Sequence, residues 1–166
     1  IITGIAGKKG FSVITIEKDM MNSEVGFGRK VLEVIEEEGI SFEHMPSGID
    51  TMCVVVHEDA LAGKKERLVQ RIHELCQPDS VEIHSGLALI ATVGRGMVRS
   101  KGISAKLFDA LMRAGINVRL IDQGSSELNV IVGVAEHDLQ QAIRSIYEVF
   151  ITSKMELALI KSDIIS

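Results

Sequence analysis

An internal repeat is the feature that most constrains how this chain folds. Residues 26–41 align without a gap with residues 102–117, at an offset of 76, and their apolar positions coincide. Glycines fall at matching places in the two copies, and a later valine-rich segment follows the same gapless offset. Self-similarity over this length predicts two copies of one supersecondary unit. The matched positions are Gly26 with Gly102, Gly39 with Gly115, and 54–56 with 130–132.

Each copy contains the same order of predicted elements. A strand is followed by a loop that contains glycine, and then by a helix with apolar residues on one face. Glycine ends both of these helices, as expected just past a helix C-terminus. Two further strands and a second amphipathic helix complete the copy. The predicted strands are 12–16, 40–45 and 51–57 in the first copy, and 88–93, 116–122 and 128–134 in the second.

This order predicts an α+β fold made of two ferredoxin-like βαββαβ domains, each an antiparallel sheet with helices on one face. The last strand of the first copy is expected at 81–83. That of the second copy is expected either at 1–5 or in the tail after residue 155. Because only residues 84–86 separate the copies, with no linker rich in proline or serine, we expect the two copies to pack rigidly.

Composition argues against several classes of function. The net charge of −5 and the aromatic content of 4% do not favour a nucleic-acid-binding surface. No apolar run approaches the roughly 20 residues that a membrane-spanning helix needs, so we expect a cytoplasmic protein that does not contact membranes. The histidines and the two cysteines lack the spacing of a metal site, and we expect no metal and two reduced thiols.

Short motifs occur in a fixed order and spacing along the chain. In the first copy they are Ile14-Thr15-Ile16, Gly26-Phe27, Gly39-Ile40-Ser41-Phe42-Glu43 and Pro46-Ser47-Gly48-Ile49-Asp50. In the second copy they are Val93-Gly94-Arg95-Gly96-Met97, Gly102-Ile103, Gly115-Ile116-Asn117-Val118 and Gln123-Gly124-Ser125-Ser126-Glu127-Leu128-Asn129. Through these motifs the chain resembles the regulatory region of aspartate kinases, which contains tandem ACT domains. The resemblance extends over residues 1 to about 152.

The resemblance implies a domain arrangement that the repeat alone does not specify. The first ACT domain, residues 11–84, is inserted into the second, which consists of residues 1–10 and 85–152, while 153–166 form a tail without a counterpart. The N-terminal strand thereby joins the sheet of the second domain, and ACT sheets pair side by side in a homodimer. The chain begins with Ile1, which favours a segment of a longer protein. The kinase domain, with its ATP and Mg sites, lies outside this chain, so no catalytic residue or cofactor is expected here.

A free amino acid carries a carboxylate and an ammonium group, and the sequence offers partners for both. The loop over residues 21–28 leads into a helix N-terminus, whose unbonded N–H groups and positive dipole end suit a carboxylate. The strand start at 41–43 is expected opposite this loop, with Glu43 as the acceptor for the ammonium group. The predicted effector-binding residues are Met21, Ser23, Glu24, Gly26, Phe27, Gly28, Ser41, Phe42, Glu43, Ser47 and Asp50.

The resemblance implies that the effector is lysine or threonine and that it inhibits the kinase. Carboxylates at Glu24, Glu43 and Asp50 favour L-lysine, because its second ammonium group needs a paired charge. For L-threonine, the three serines of the predicted set are candidate partners of the hydroxyl. The second copy has Arg119 where the first has Glu43, so we expect it to be mainly structural. Its equivalent positions are Arg99, Ser100, Gly102, Asn117 and Arg119.

Two other interpretations remain open at this point. The chain could be a stand-alone tandem-ACT protein that binds a small molecule and regulates another partner. Alternatively, Gly94-Arg95-Gly96 after a strand resembles the start of a dinucleotide-binding motif, which would indicate a small enzyme that holds phosphate. The third glycine of that motif is missing, because position 99 is Arg, and no parallel βαβ unit is predicted after it.

Overall fold

The structure, which is a computed structural model, describes residues 4–94, 96, 100–124 and 129–151. The described strands are β1 (Gly4–Glu17), β2 (Thr51–His57), β3 (Ser80–Val93), β4 (Leu120–Asp122) and β5 (Asn129–Ala135). The described helices are α1 (Phe27–Glu37), α2 (Lys65–Cys76), α3 (Ile103–Arg113) and α4, which begins at residue 139 and is described as far as residue 151. Short 3-10 turns lie at Met21–Ser23, Glu58–Leu61 and Glu136–Asp138.

The chain divides into two compact units. The first unit is Gly10–Leu87, and the second unit contains the described residues before Gly10 and from residue 88 onward. The predicted junction at 84–86 lies inside β3, next to the boundary of the first unit at Leu87. Gly86 has a φ of 74° and its repeat counterpart Gly10 has a φ of 89°. Glycine in this conformation disturbs the pairing locally without ending the strand, although in sequence it has the signature of a loop.

In the first unit, an edge segment (residues 43–47), β2, β1 and β3 follow one another across the sheet. Strands β1 and β2 are antiparallel, with Ile14 opposite Val54 and Ile16 opposite Met52. These alternate residues face the core, as the period of two along a strand requires. Helices α1 and α2 cover that face of the sheet, and their apolar residues complete the core.

The edge segment is less regular than the sequence predicts. It forms isolated bridges to β2 through His44 and Ser47, where a continuous strand was predicted at 40–45. Pro46 lies between the two bridges and accepts a hydrogen bond from the backbone N–H of Cys53 at 2.8 Å. Because proline has no N–H to donate, the ladder is interrupted there. The strand prediction is therefore wrong in both extent and position.

In the second unit the order across the sheet is β4, β5, β3 and β1. Strands β4 and β5 are antiparallel, with Leu120 opposite Gly133. The N-terminal part of β1 lies close to α4, since a Cβ atom at Gly7 would come within 2.6 Å of Ile143 and 2.8 Å of Leu139. Glycine at position 7 allows this close approach. Each unit has the ferredoxin-like α+β arrangement, so the predicted fold class is confirmed.

For the second copy, one strand prediction needs correction, and the further strand is found at the N-terminal end of the described chain. The strand predicted at 116–122 is limited to Leu120–Asp122, because the N–H of Ile116 donates to the carbonyl of Leu111 at 3.0 Å and so still belongs to the end of α3. The further strand expected at 1–5 or in the tail extends over residues 4–9 of β1 in this unit. Residues 1–3, residue 128 and the tail from 152 lie outside the described residues.

Backbone hydrogen bonds correct the repeat register itself. The N–H of Glu43 donates to the carbonyl of Val55 at 2.8 Å, and the N–H of Arg119 donates to the carbonyl of Gly133, also at 2.8 Å. Glu43 and Arg119 are therefore equivalent at the offset of 76, whereas Val55 and Gly133 are equivalent at an offset of 78. The gapless match of 54–56 to 130–132 is wrong. The second copy has two extra residues between these strands, where an insertion is tolerated.

Two fully buried hydroxyl groups, those of Ser12 and Thr92, make no hydrogen bond among the described residues. The repeat supplies an apolar residue at each equivalent position, Ala88 for Ser12 and Ile16 for Thr92, and both are buried as well. A buried hydroxyl without a partner costs free energy, and an apolar replacement of similar shape removes that cost. At both positions, the apolar residue of one copy indicates that an apolar replacement would stabilise the other copy.

We expect Ser12→Ala and Thr92→Val each to raise the free energy of unfolding by about 1 kcal/mol, which corresponds to roughly 2–4 °C in Tm for a chain of this size. Thermal unfolding followed by circular dichroism measures the change. Ser80→Ala is the matched control, because the Ser80 hydroxyl donates to Glu17 at 3.2 Å and is exposed. A fall in Tm for both core variants would contradict the prediction.

Candidate functional site

The β1–α1 loop, residues 18–26, is held against the hairpin turn at 48–50. The N–H of Lys18 donates to the carbonyl of Asp50 at 2.9 Å, and the N–H of Asn22 donates to the carbonyl of Ile49 at 3.0 Å. The Asp50 carboxylate accepts a further hydrogen bond from the N–H of Met20 at 3.2 Å. Asp50, predicted as an effector contact, therefore also fixes the shape of this loop.

The N-terminus of α1 opens onto the same loop. Gly26 precedes the helix with a φ of 83°, and it contributes no side-chain cap. Gly102 occupies the equivalent place before α3 with a φ of 84°. A left-handed φ at this position favours glycine, and the uncapped first turn leaves backbone N–H groups directed at the loop. This end of α1 carries the positive end of the helix dipole and is suited to an anionic group.

Glu24 lies between two lysines, and its carboxylate is paired with both of them. Its carboxylate is 2.7 Å from Lys18 Nζ and 3.1 Å from Lys30 Nζ. Hydrogen bonds from the two lysine side chains lower the pKa of Glu24 below its usual value. The three side chains together carry one net positive charge beside a helix N-terminus. Asp19 lies in the same loop and the Asp50 carboxylate bonds to this loop, so the loop carries charges of both signs. Its suitability for a carboxylate depends on the lysines and on the start of α1, and Glu24 is already paired.

Two of the three apolar side chains predicted at the site are buried, and other apolar side chains around the loop are exposed. Met21 and Phe27 are buried in the first-unit core, and Phe27 is only 3% exposed. Three residues that the sequence analysis did not select, Met20, Val25 and Ile49, are exposed, and Val25 is 98% exposed. They surround the loop and the hairpin turn. In the sequence, these residues could have been identified as apolar residues within polar loops that contain glycine.

The edge segment separates Glu43 from the β1–α1 loop. Ser47 lies beside the hairpin turn, opposite Met52. Glu43 lies four residues before Ser47 on the edge segment, and its N–H donates to the carbonyl of Val55. Four residues of extended chain span about 13 Å. Within one chain, residues 41–43 therefore lie at the far end of the edge segment from the hairpin turn.

The predicted effector-binding residues thus form two groups in a single chain. The loop group lies around the hairpin turn and the start of α1, and the strand group lies at the other end of the edge segment. Backbone geometry brings members of each group together, but it does not bring the two groups together. The loop group is Met21, Ser23, Glu24, Gly26, Phe27, Gly28, Ser47 and Asp50, and the strand group is Ser41, Phe42 and Glu43.

The strand group contains an ion pair that the sequence analysis missed. His57 Nε2 lies 2.8 Å from Glu43 Oε1, and the two side chains are 38% and 42% exposed. The His57 ring also packs against Phe11, with 4.8 Å between ring centroids and an interplanar angle of 32°. His57 is the last residue of β2 and pairs with Phe11 in the β1–β2 register. Only that register reveals that a histidine lies beside Glu43.

Other classes of site find little support in the described ranges. No group of three or more His, Cys, Asp or Glu residues there is arranged to hold a metal ion. None of the helices described is both long and apolar enough to cross a membrane. Cys53 is half-buried and Cys76 is buried, and both are free thiols. Arg95 and Arg99 of the glycine-containing segment that resembles a nucleotide motif lie outside the described residues.

Comparison with known proteins shows similarity to aspartokinases over most of the chain. The family model of the ACT domain matches residues 90–150. Aspartokinase 3 of Bacillus subtilis is 39% identical over 150 residues, which cover 90% of this chain and 33% of that protein. The aspartate kinase of Clostridium acetobutylicum is 55% identical with a TM-score of 0.87, over 90% of this chain and 35% of that one.

The regulatory subunit of aspartate kinase from Thermus flavus has a TM-score of 0.78 at 20% identity, over 90% of this chain and 98% of that subunit. This chain matches the ACT regulatory region of aspartokinases. The chain spans about one third of the length of the Bacillus and Clostridium enzymes. E. coli aspartokinase III in complex with lysine and aspartate shares the fold, with a TM-score of 0.69 at 21% identity, over 89% of this chain and 32% of that one.

Proposed function

We propose that this chain is the amino-acid-sensing region of an aspartokinase and that its effector is L-lysine. Binding of lysine would inhibit transfer of the ATP γ-phosphate to the side-chain carboxylate of aspartate, the first step towards lysine, threonine and methionine. The ATP and Mg sites belong to the kinase domain, which is the partner of this chain in the parent enzyme. The proposal places the enzyme in the cytoplasm, without nucleic-acid or membrane partners.

One observation carries the proposal: the two charge-complementary halves of an amino-acid site lie at opposite ends of the edge segment. The β1–α1 loop offers the ammonium groups of Lys18 and Lys30 and the N-terminus of α1 to a carboxylate. Glu43 offers a half-exposed carboxylate to an ammonium group. A single chain holds the halves too far apart for one amino acid, which favours a site completed by a second copy.

A homodimer paired along the edge segments would complete the site. In an antiparallel two-fold pairing, the start of one edge segment lies opposite the end of the other. Glu43 of one copy would then lie near Ser47 and the β1–α1 loop of its partner. The exposed apolar residues around that loop, Met20, Val25 and Ile49, would be covered by the same contact. Dimerisation and effector binding are linked in this arrangement.

Charge favours lysine over threonine as the effector. L-Lysine has one carboxylate and two ammonium groups, and it therefore needs two acceptors for one anion site. Glu43 remains as an acidic group after Glu24 is assigned to its two lysines, and the Asp50 carboxylate keeps further acceptor capacity beside its hydrogen bond from the N–H of Met20. The Ser23 hydroxyl donates to the carbonyl of Met20 at 2.8 Å, so it is already engaged within the loop. Ser41 and Ser47 remain as the candidate partners of a threonine hydroxyl.

Calorimetric titration of this chain with L-lysine, L-threonine and ATP tests the proposal. We expect lysine to bind and to shift the chain towards a dimer in sedimentation velocity, while ATP gives no heat of binding. Binding of threonine alone would retain the sensing function and overturn the choice of effector. Binding of ATP would instead support the enzyme interpretation. Absence of binding by either amino acid in a folded chain would overturn the proposed site.

A further inference from the structure

We infer that His57 is a positioning residue that controls how tightly, and at which pH, Glu43 binds the ammonium group of the effector. The inference rests on the proposed function, because it assigns Glu43 to the effector. His57 itself does not need to touch the ligand. It competes with the ligand for the Glu43 carboxylate.

The geometry of the pair supports competition for one carboxylate. His57 Nε2 is 2.8 Å from Glu43 Oε1, a hydrogen-bond distance that engages one oxygen of the carboxylate proposed to bind the ammonium group. The ring is held from behind by Phe11, at 4.8 Å between centroids. Both partners are part-exposed, so a ligand in solution can reach the carboxylate. An ammonium group therefore meets a carboxylate whose negative charge is already shared with His57, so the two compete for that charge.

The surroundings of His57 leave Glu43 as its charged partner among the described contacts. From β1 the packed neighbour is Phe11, which has no charge, and Lys9 lies two residues before it on the same strand. From the edge segment the facing group is Glu43. Along its own chain, Glu58 and Asp59 follow His57 in a 3-10 turn.

The second unit lacks an equivalent pair of an acidic residue and a histidine. By the backbone register, Arg119 takes the place of Glu43, and Ala135, the last residue of β5, takes the place of His57. The acidic residue and the histidine are therefore both present in the first unit and both replaced in the second. Such joint replacement is expected if the two residues act as a pair, and it leaves the second unit without an ammonium acceptor at this place.

The competition makes effector affinity depend on pH. Histidine changes its charge between about pH 5 and pH 8, while the carboxylate and the side-chain ammonium group of lysine keep their charges over that range. At low pH a charged His57 pairs with Glu43 and opposes the ligand. At higher pH a neutral His57 binds Glu43 less strongly, and the ligand displaces it more easily. The affinity for lysine therefore rises with pH.

Lysine titrations of the 166-residue chain at about pH 5.5 and about pH 8.0 test the inference. We expect the Kd to be roughly two- to fivefold lower at the higher pH, the range that an exposed ion pair supplies. In His57→Gln the dependence should vanish, with the affinity at the lower pH rising to the value seen at the higher pH. The matched control is His84→Gln, since His84 forms a similar exposed pair with Glu82 at 2.9 Å and should leave the wild-type profile unchanged.

The outcomes separate this inference from the proposed function. Absence of lysine binding at both pH values would overturn the proposed function and the inference together. Binding that is equally tight at both pH values would overturn the inference alone. A pH dependence that persists in His57→Gln would also overturn it, because another group would then be responsible. A loss of all binding in His57→Gln, with the fold intact by circular dichroism, would show direct ligand contact and overturn competition.

Discussion

Replacement of Glu43 by glutamine is expected to weaken L-lysine binding by roughly 10- to 100-fold, the range for loss of a hydrogen bond to a charged group. The substitution keeps the size and shape of the side chain and removes only the negative charge. Because the Glu43 side chain is 42% exposed, its contribution to stability is small, and Tm should change by no more than about 2 °C. Calorimetry gives the Kd, and thermal unfolding gives the Tm.

Glu82→Gln is the matched control for this variant. Glu82 is another exposed carboxylate that pairs with a histidine, His84, at 2.9 Å, but it lies on β3 away from the edge segment. Its replacement should leave the Kd for lysine unchanged. Equal affinity of Glu43→Gln and the wild type would remove Glu43 from the site, and equal weakening by both variants would indicate a general charge effect.

The internal repeat made the fold class predictable, because it indicated both the element order and the number of copies. The edge segment was less predictable, since the effect of Pro46 depends on which backbone groups face β2. The register of the second copy was misjudged by two residues for a related reason. Similar apolar residues occur at Val130, Ile131 and Val132, so composition alone did not decide which of them matches Val54.

The candidate site was predictable only in part, because its charge pairs depend on the folded backbone. Glycine at position 26 and the helix that follows it are local features, and the sequence indicated both. The engagement of Glu24 by Lys18 and Lys30 requires the loop to fold back over the start of α1. The contact between Glu43 and its histidine partner requires a particular pairing of neighbouring strands. Long-range contacts of this kind are set by register, which a single sequence specifies weakly.

Replacement of Phe27 by alanine is expected to lower the free energy of unfolding by about 3–5 kcal/mol, or roughly 6–20 °C in Tm. Phe27 is the first residue of α1, is 3% exposed, and packs in the first-unit core. Its ring also lies 5.5 Å from Lys18 Nζ, an additional favourable contact. Phe42→Ala removes the same side chain from a position that is 45% exposed, and its expected cost is below about 1 kcal/mol.

This pair of variants separates structure from binding among the predicted effector contacts. Phe27→Ala should lose lysine binding together with stability, because the α1 N-terminus shifts when its first buried residue is removed. Phe42→Ala should weaken binding with little change in Tm, because its ring belongs to the strand group beside Glu43. Phe27→Leu, which fills most of the same volume, is expected to recover most of the lost stability and with it the affinity for lysine. If Phe27→Leu is stable but does not bind lysine, the aromatic ring itself contacts the ligand, and burial is not the main role of Phe27.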